Sequence, residues 1–338
     1  MRLTRIDGTG ADHWPGSAHE ARRFIGDRIP QCSGVEGLSQ ESDRYGRAEE
    51  PPVLVEPKVI EGRVFRSIAV ADPGGARGNS AFAAFLDGTQ RIEIVSQQNG
   101  IPFVWGTVAA AVRLRVDRRL VAWPKVAPRV RRRYYMPFRY VEQLAPELLN
   151  DPRVVDTGEA NSKGVIPSKH PAALMESAVR KVQQDRELLE REMAEAWCAR
   201  EDGLLYVDGS ITSSPVVSRS MNAVGVIKTH RHLYAGGDAF RVLVGMVRGE
   251  RTSVFSVAPS SRNPVASWYL RVRSAAGRDA LFGLVRVEAA DCADMTNRAD
   301  EISRWILAEG APLALPDGRW DKMAYGIRDT EEFLRAIS

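Results

Sequence analysis

Two strand-like apolar runs in this chain each stop at an Asp-Gly step followed by a hydroxyl residue. The first, "SAFAAFLDGTQRIEIV" from Ser80 to Val95, carries Asp87-Gly88-Thr89; the second, "GLLYVDGSITSSP" from Gly203 to Pro215, carries Asp208-Gly209-Ser210. Asp-Gly after a strand ordinarily marks a tight turn, with glycine supplying a positive φ. On that reading "DGTQ" turns a hairpin between Phe82–Leu86 and Arg91–Val95. The segment between the two sites adds a stronger constraint. Pro171, well placed at a helix start, opens a long helical pattern, "AALMESAVRKVQQDRELLEREMAEAWCARE", which stops near Gly203. The second Asp-Gly strand follows at once. Helix delivered directly into strand, between two strands of the same kind, points to an α/β core.

The rest of the chain fills in that architecture. "PPVLVEPKVIEG" and "RVFRSIAVADP" read as strands, "GGARGNS" as a turn, and residues 151–172 as a loop. "GIPFVWGTVAAAVRLRVDRRLV" begins extended and passes into a helix. "NAVGVIKTH", "FRVLVGMVRGERTSVFSVA", "SWYLRVRS" and "LFGLVRVEA" read as strands, and "TNRADEISRWILAEG" and "DTEEFLRAIS" as helices. The expected fold is a mixed β-sheet core flanked by helices, with the long helix inserted between the Asp-Gly strands. Residues 1–50 show little periodicity and read as a poorly ordered or lineage-specific extension. Residues 51–338 read as one domain, with a helical and loop insertion at about 140–200.

Charge is unevenly spread. The net charge is +4, yet Arg113 to Tyr140 holds nine arginines and Lys125 against one acid, Asp117. Trp123, Tyr134, Tyr135, Phe138 and Tyr140 are interleaved. Guanidinium forks suit phosphates and aromatic rings suit bases, so Arg113, Arg115, Arg118, Arg119, Arg131, Arg132 and Arg133 are candidate nucleic-acid contacts, weighed against a plain solvated face. No apolar run is long enough to span a membrane, and the N-terminus lacks the apolar core of a secretory signal. Cys32, Cys198 and Cys292 form neither a disulfide framework nor a zinc spacing. The expected compartment is the cytoplasm.

The acids matter as a set. On a helical wheel Met175, Val182, Leu189 and Met193 form the apolar stripe of the long helix. Glu190 lies at its edge beside Val179 and Trp197, Glu187 lies further out, and Glu192 points away. A carboxylate facing the core has to be paired, neutralised or bound to a metal, and Arg186, four residues earlier, is the available pair. Asp87, Glu190 and Asp208 come from a strand, a helix and a later strand. Gathered at one sheet edge they make an all-oxygen site for Mn²⁺ or Mg²⁺ that can clamp attacking water and leaving oxygen in phosphodiester cleavage. This is the carboxylate order of the ribonuclease-H-like nuclease fold.

Several stretches, in order, resemble the NurA nucleases: "FLDGTQ" with "GIPFVWGTVAAAVRLR", "DRELLERE" before "GLLYVDGS", "VGVIKTHRHLY", "RGERTSVF", "SWYLRVR", "FGLVRVEA" and "YGIRDTEEFLRAI". Together they run from about residue 80 to the end of the chain. The resemblance implies a ribonuclease-H-like fold, a homodimer and Mn²⁺-dependent DNA cleavage, both 5′-to-3′ exonucleolytic and endonucleolytic on single strands. It also implies a HerA-type hexameric ATPase partner, in DNA end processing for repair or antiphage defence. It makes Asp87, Glu190 and Asp208 metal ligands and Lys228 a phosphate contact rather than a solvated lysine. Tyr325 stands at the family's C-terminal active-site tyrosine. The family's histidine position carries Glu331, either a substitute ligand or a surface acid of the last helix.

Other residues have competing readings. His230 and His232 alternate like a metal pair but read as solvated. Glu250, in a hairpin turn, and Glu288, at a strand end, are possible fourth acids that rank below Glu190, and Trp268 and Tyr269 read as core. An Asp-x-Asp-Gly-Thr phosphatase is excluded, because the residue two before Asp87 is Phe85 and no nucleophile stands there. A non-catalytic DNA-binding or assembly module is the remaining alternative; retention of all three acids favours the enzyme.

Overall fold

The computed structural model describes residues 14–30, 33–34, 39–40, 52–70, 80–117, 119–142, 146–160, 164, 166–258, 263–310 and 321–338. The main elements are, in chain order, α1 (Ala18–Arg28), β1 (Phe82–Gln98), β2 (Ile101–Val116), β3 (Arg119–Ala122), β4 (Arg129–Met136), β5 (Val154–Asp156), α2 (Pro171–Arg200), β6 (Leu204–Asp208), β7 (Ala223–Ile227), α3 (Ala239–Gly245), β8 (Glu250–Thr252), β9 (Phe255–Val257), β10 (Val265–Arg271), β11 (Leu284–Ala289), α4 (Met295–Glu309) and α5 (Tyr325–Ile337). The protein is α/β, with a large mixed sheet flanked by helices. No helix among the described residues is long and apolar enough to cross a membrane.

The chain forms two compact units. One comprises residues up to Ala48 with Gln90–Val108 and Arg131–Gln184; the other comprises Glu49–Thr89, Ala109–Val130 and Asp185–Ser338. The boundaries fall inside β1, β2, β4 and α2. In the first unit, Ala21 and Ile25 of α1 pack with Phe103 and Trp105 of β2, Tyr134 and Met136 of β4, and Leu174 of α2. Tyr134 donates through its hydroxyl to Ala21 O at 2.6 Å. Ser17 caps α1 by accepting from the Glu20 amide. The N-terminal region holds a packed helix over Ala18–Arg28; residues 1–13, 31–32, 35–38 and 41–50 lie outside the described residues.

Two expectations about β1 and β2 are corrected. β1 runs 17 residues without a break through Asp87-Gly88, so "DGTQ" is not a turn. The chain reverses instead at Asn99-Gly100, where both residues have positive φ, 49° and 78°. Two consecutive residues of that kind make the two-residue hairpin turn whose twist matches paired strands. β2 is a 16-residue strand, where the run "GIPFVWGTVAAAVRLRVDRRLV" is expected to begin extended and pass into a helix. Its first 12 residues are all buried. A strand covered on both faces shows no alternation, so its period cannot be told from a buried helix. Residues 151–172, read as loop, contain the short β5, which runs parallel to β4.

In the second unit, β6 lies between the N-terminal part of β1 and β7, parallel to both. β7 pairs with β11 and β11 with β10, each antiparallel; β8 and β9 pair with β10. One sheet face buries Phe85, Tyr206, Val224, Val226, Trp268 and Val287 against Ile302 and Ile306 of α4 and Ile327 of α5. Trp268 donates to Ser303 Oγ at 2.9 Å, which satisfies its ring N–H inside that core. The run "FRVLVGMVRGERTSVFSVA" is not all strand: Ala239–Gly245 is helical, with Ala239 and Leu243 buried one helical turn apart.

Candidate functional site

The register of β1 and β6 decides where the two aspartates go. Phe85 pairs with Tyr206 and Leu86 with Val207 in parallel strands. One step on, Asp87 and Asp208 stand side by side at the carboxyl end of β6, on strands about 4.8 Å apart. Alternation puts both on the face of Phe85 and Tyr206. Asp87 is 8% exposed. Its Oδ1 accepts from the Gly88 amide at 2.7 Å. Burial raises its proton affinity well above the usual carboxylate range, and the neighbouring charge of Asp208 raises it further.

Lys228 reaches the same place from β7. Asp208 pairs with Val226, and Lys228, two residues further, shares that face. Its Nζ donates to Asp208 Oδ2 at 2.8 Å and lies 3.7 Å from Met323 Sδ. The choice between solvent and phosphate left open a third partner, an aspartate of the site.

Glu190 arrives from α2. A Cβ built on Gly88 would lie 2.8 Å from Glu190 Cδ and closer still to Oε1. Gly88 therefore makes room, on the face opposite Asp87, for a carboxylate that reaches the strand end from α2, and has no role as a turn residue. Burial pushes the Glu190 carboxyl up to about 7, against the pull of Arg186; the charge of Asp208 adds to the rise. Arg186 Nη1 donates to Glu190 Oε1. The wheel placed the helix correctly: Met175, Val182, Leu189 and Met193 are buried, Glu190 is 16% exposed, and Glu192 pairs outward with Arg129.

Among the described residues, no three His, Cys, Asp or Glu side chains stand close enough together to hold a metal ion as they are. Two of the three carboxylates are instead tied to cations, Glu190 to Arg186 and Asp208 to Lys228. The chemistry of the set still fits a hard divalent ion. All donors are carboxylate oxygens, and Asp87 and Glu190 both hold protons more firmly than usual.

Glu288, a possible fourth acid by sequence, is fully buried. Its Oε2 accepts from Ser210 Oγ at 2.8 Å and the Ile211 amide at 3.1 Å, and Arg286 pairs with its other oxygen at 3.0 Å. It anchors the turn that follows Asp208 instead of joining the other acids. Tyr325 opens α5 and is half-exposed. Glu331 accepts from Arg328 at 3.2 Å and Arg335 at 2.6 Å, which places it as a paired acid of α5. Glu250 accepts from the Val247 amide at 2.9 Å, a turn contact. His230 is not solvated: its Nε2 lies 2.8 Å from Leu284 O and its ring meets Tyr269 edge-on. His232 is exposed, and Trp268 and Tyr269 are buried as expected.

The basic stretch is mostly built into the fold. Arg113 binds Asp329 and Leu120 O; Arg115 binds Glu309 and Phe82 O. Trp123, Tyr134 and Tyr135 are buried, so they are core side chains and do not offer themselves to bases. Arg119 is exposed on β3, Arg131, Arg132 and Arg133 are half-buried on β4, and Arg118 lies outside the described residues.

Sequence reasoning missed the purpose of Gly88 and the anchoring by Glu288. A glycine inside a strand pattern was the available signal for the first. No family model matches the chain, and no curated protein matches it.

Proposed function

We propose that the chain is a metal-dependent deoxyribonuclease of the NurA kind, with a ribonuclease-H-like core. The observation that carries this reading is the meeting of Asp87 and Asp208 on adjacent parallel strands, with Glu190 let in over Gly88. Asp87, Asp208 and Glu190 would hold Mn²⁺ or Mg²⁺. A bound divalent ion of this class supplies Lewis acidity to the attacking water and to the leaving oxygen of a phosphodiester. Asp87 and Asp208 would present their carboxylates to the ion side by side, at positions set by the register of their strands. Lys228, once Asp208 is engaged elsewhere, offers its ammonium to a neighbouring phosphate oxygen. Contacts of this kind grip backbone and do not read bases, so cleavage depends weakly on sequence and steeply on salt.

The sequence resemblance extends the proposal to 5′-to-3′ exonuclease and single-strand endonuclease action. It also extends it to a homodimer and a HerA-type hexameric translocase, in repair or defence. A competing reading, a non-catalytic DNA-binding or assembly subunit, is favoured by the ion pairs that already engage Glu190 and Asp208. Cleavage of linear duplex and circular single strands separates the two. The assay compares wild type with Asp87→Ala and Asp208→Ala in Mn²⁺, Mg²⁺ or EDTA, with and without the ATPase. The nuclease reading expects wild type to cut and both folded variants to be inert; a wild type that never cuts leaves the assembly subunit.

A further inference from the structure

Arg186 stands one helical turn before Glu190 and donates to its Oε1. The pair is largely buried, with Arg186 23% and Glu190 16% exposed. Its polarity is also unusual for a helix-stabilising pair. Acid before base at i, i+4 is the favourable order, and here the base comes first. A surface pair would need no hole in the sheet, yet Gly88 leaves its side-chain volume to Glu190. Burial works against the Arg186 charge, but the carboxylates of Glu190, Glu187 and Asp87 outweigh it, and the guanidinium holds its proton more tightly than usual. The same guanidinium thus bears on two of the three acids of the site.

We propose that Arg186 is the resident cation of the carboxylate centre: it holds Glu190 Oε1 until a divalent ion arrives and competes with that ion for the carboxylate. Arg186 thereby sets how tightly the centre takes up metal. The inference rests on the nuclease reading in taking Glu190 as a ligand. A guanidinium does not lose its proton at any working pH, so it vacates the carboxylate by moving, not by neutralising. The apparent metal affinity is lowered by whatever the Arg186–Glu190 pair contributes. Lys228 on Asp208 is already assigned to phosphate.

The test is Mn²⁺ binding by the full-length chain without DNA, measured by titration calorimetry and by the metal-induced rise in melting temperature. Arg186→Met keeps the stem without the charge; Arg186→Gln keeps a donor for Glu190 without the charge. Both are expected to bind Mn²⁺ about five- to tenfold more tightly than wild type. Both are expected to melt lower without metal, because Glu190 loses its cationic partner, and Arg186→Met, which also loses the donor, is expected to melt lowest. If one variant fails to fold, the other carries the comparison. Wild-type affinity, or weaker binding, in the folded variants overturns the proposal and makes Arg186 a residue that orients Glu190. A wild type that binds no Mn²⁺ overturns the metal reading and this inference together.

Discussion

Two buried charge clusters in the second unit are built from the same residue types and come out opposite. Around Arg251, which is fully buried, Nη1 and Nη2 donate to the two oxygens of Glu61 at 2.6 and 2.9 Å, and Nε donates to Asp300 at 2.5 Å. Glu61 also accepts from the Val254 amide at 2.8 Å. Burial alone would raise Glu61, but the guanidinium and the amide outweigh it, and its carboxyl is held below the usual range. Around Asp87 the balance runs the other way: Asp87 and Glu190 are both pushed up. Among the described residues no ion pair holds Asp87. A cluster that serves the fold gives each carboxylate its donors. The cluster at the strand ends keeps an anionic surplus that the fold alone does not need.

Three experiments break or sharpen this contrast. The largest effect belongs to Arg251→Met, which strands Glu61 and Asp300. It is expected to cost about 3–5 kcal/mol in denaturant unfolding and to leave Mn²⁺ uptake unchanged in the folded protein. The opposite sign is expected at the other cluster. Asp87→Asn keeps the bond from Gly88 but removes a charge that burial disfavours. At pH 8 without metal it should stabilise the protein by on the order of 1 kcal/mol while abolishing Mn²⁺ uptake. A loss of stability there would mean that Asp87 is matched after all. The smallest effect concerns His230, whose imidazole is pushed down to about 4, first by burial and then by the charges of Lys322, Arg286 and Arg271. A folded value below the unfolded one means that the folded state binds fewer protons. Its stabilising contribution is present above about pH 6.5 and is lost as pH falls towards 4. Melting curves over that window should fall less steeply for His230→Gln than for wild type; parallel curves would show that His230 does not contribute.

The sequence made particular parts of this legible. α2 and its inward edge followed from apolar spacing and Pro171, and β6, β7, β10, β11, α4 and α5 followed from runs with clear periods. Asp87 and Asp208 were legible as strand-end acids, and Glu190 as the acid nearest the core. What stayed hidden depends on contacts between distant segments. Gly88 looks the same whether a turn or a carboxylate needs it. Arg113 and Arg115 look like a phosphate grip until Asp329 and Glu309 fill their forks. The β2 helix expectation failed because a doubly covered strand carries no period. The shift of the hairpin turn from Asp87-Gly88 to Asn99-Gly100 follows from the same ambiguity, since both dipeptides are good turn formers.

The register that brings Asp87 beside Asp208 also orders events during folding. The Asn99-Gly100 hairpin closes a minimal loop, and hairpins of that kind form in microseconds. β6 can dock alongside β1 only by closing the whole stretch between them into a loop, and parallel pairings across so long an intervening chain are slow because loop closure precedes their reward. The two aspartates are therefore expected to approach each other late. Until then each is solvated and separately charged, and their mutual repulsion does not burden the early chain.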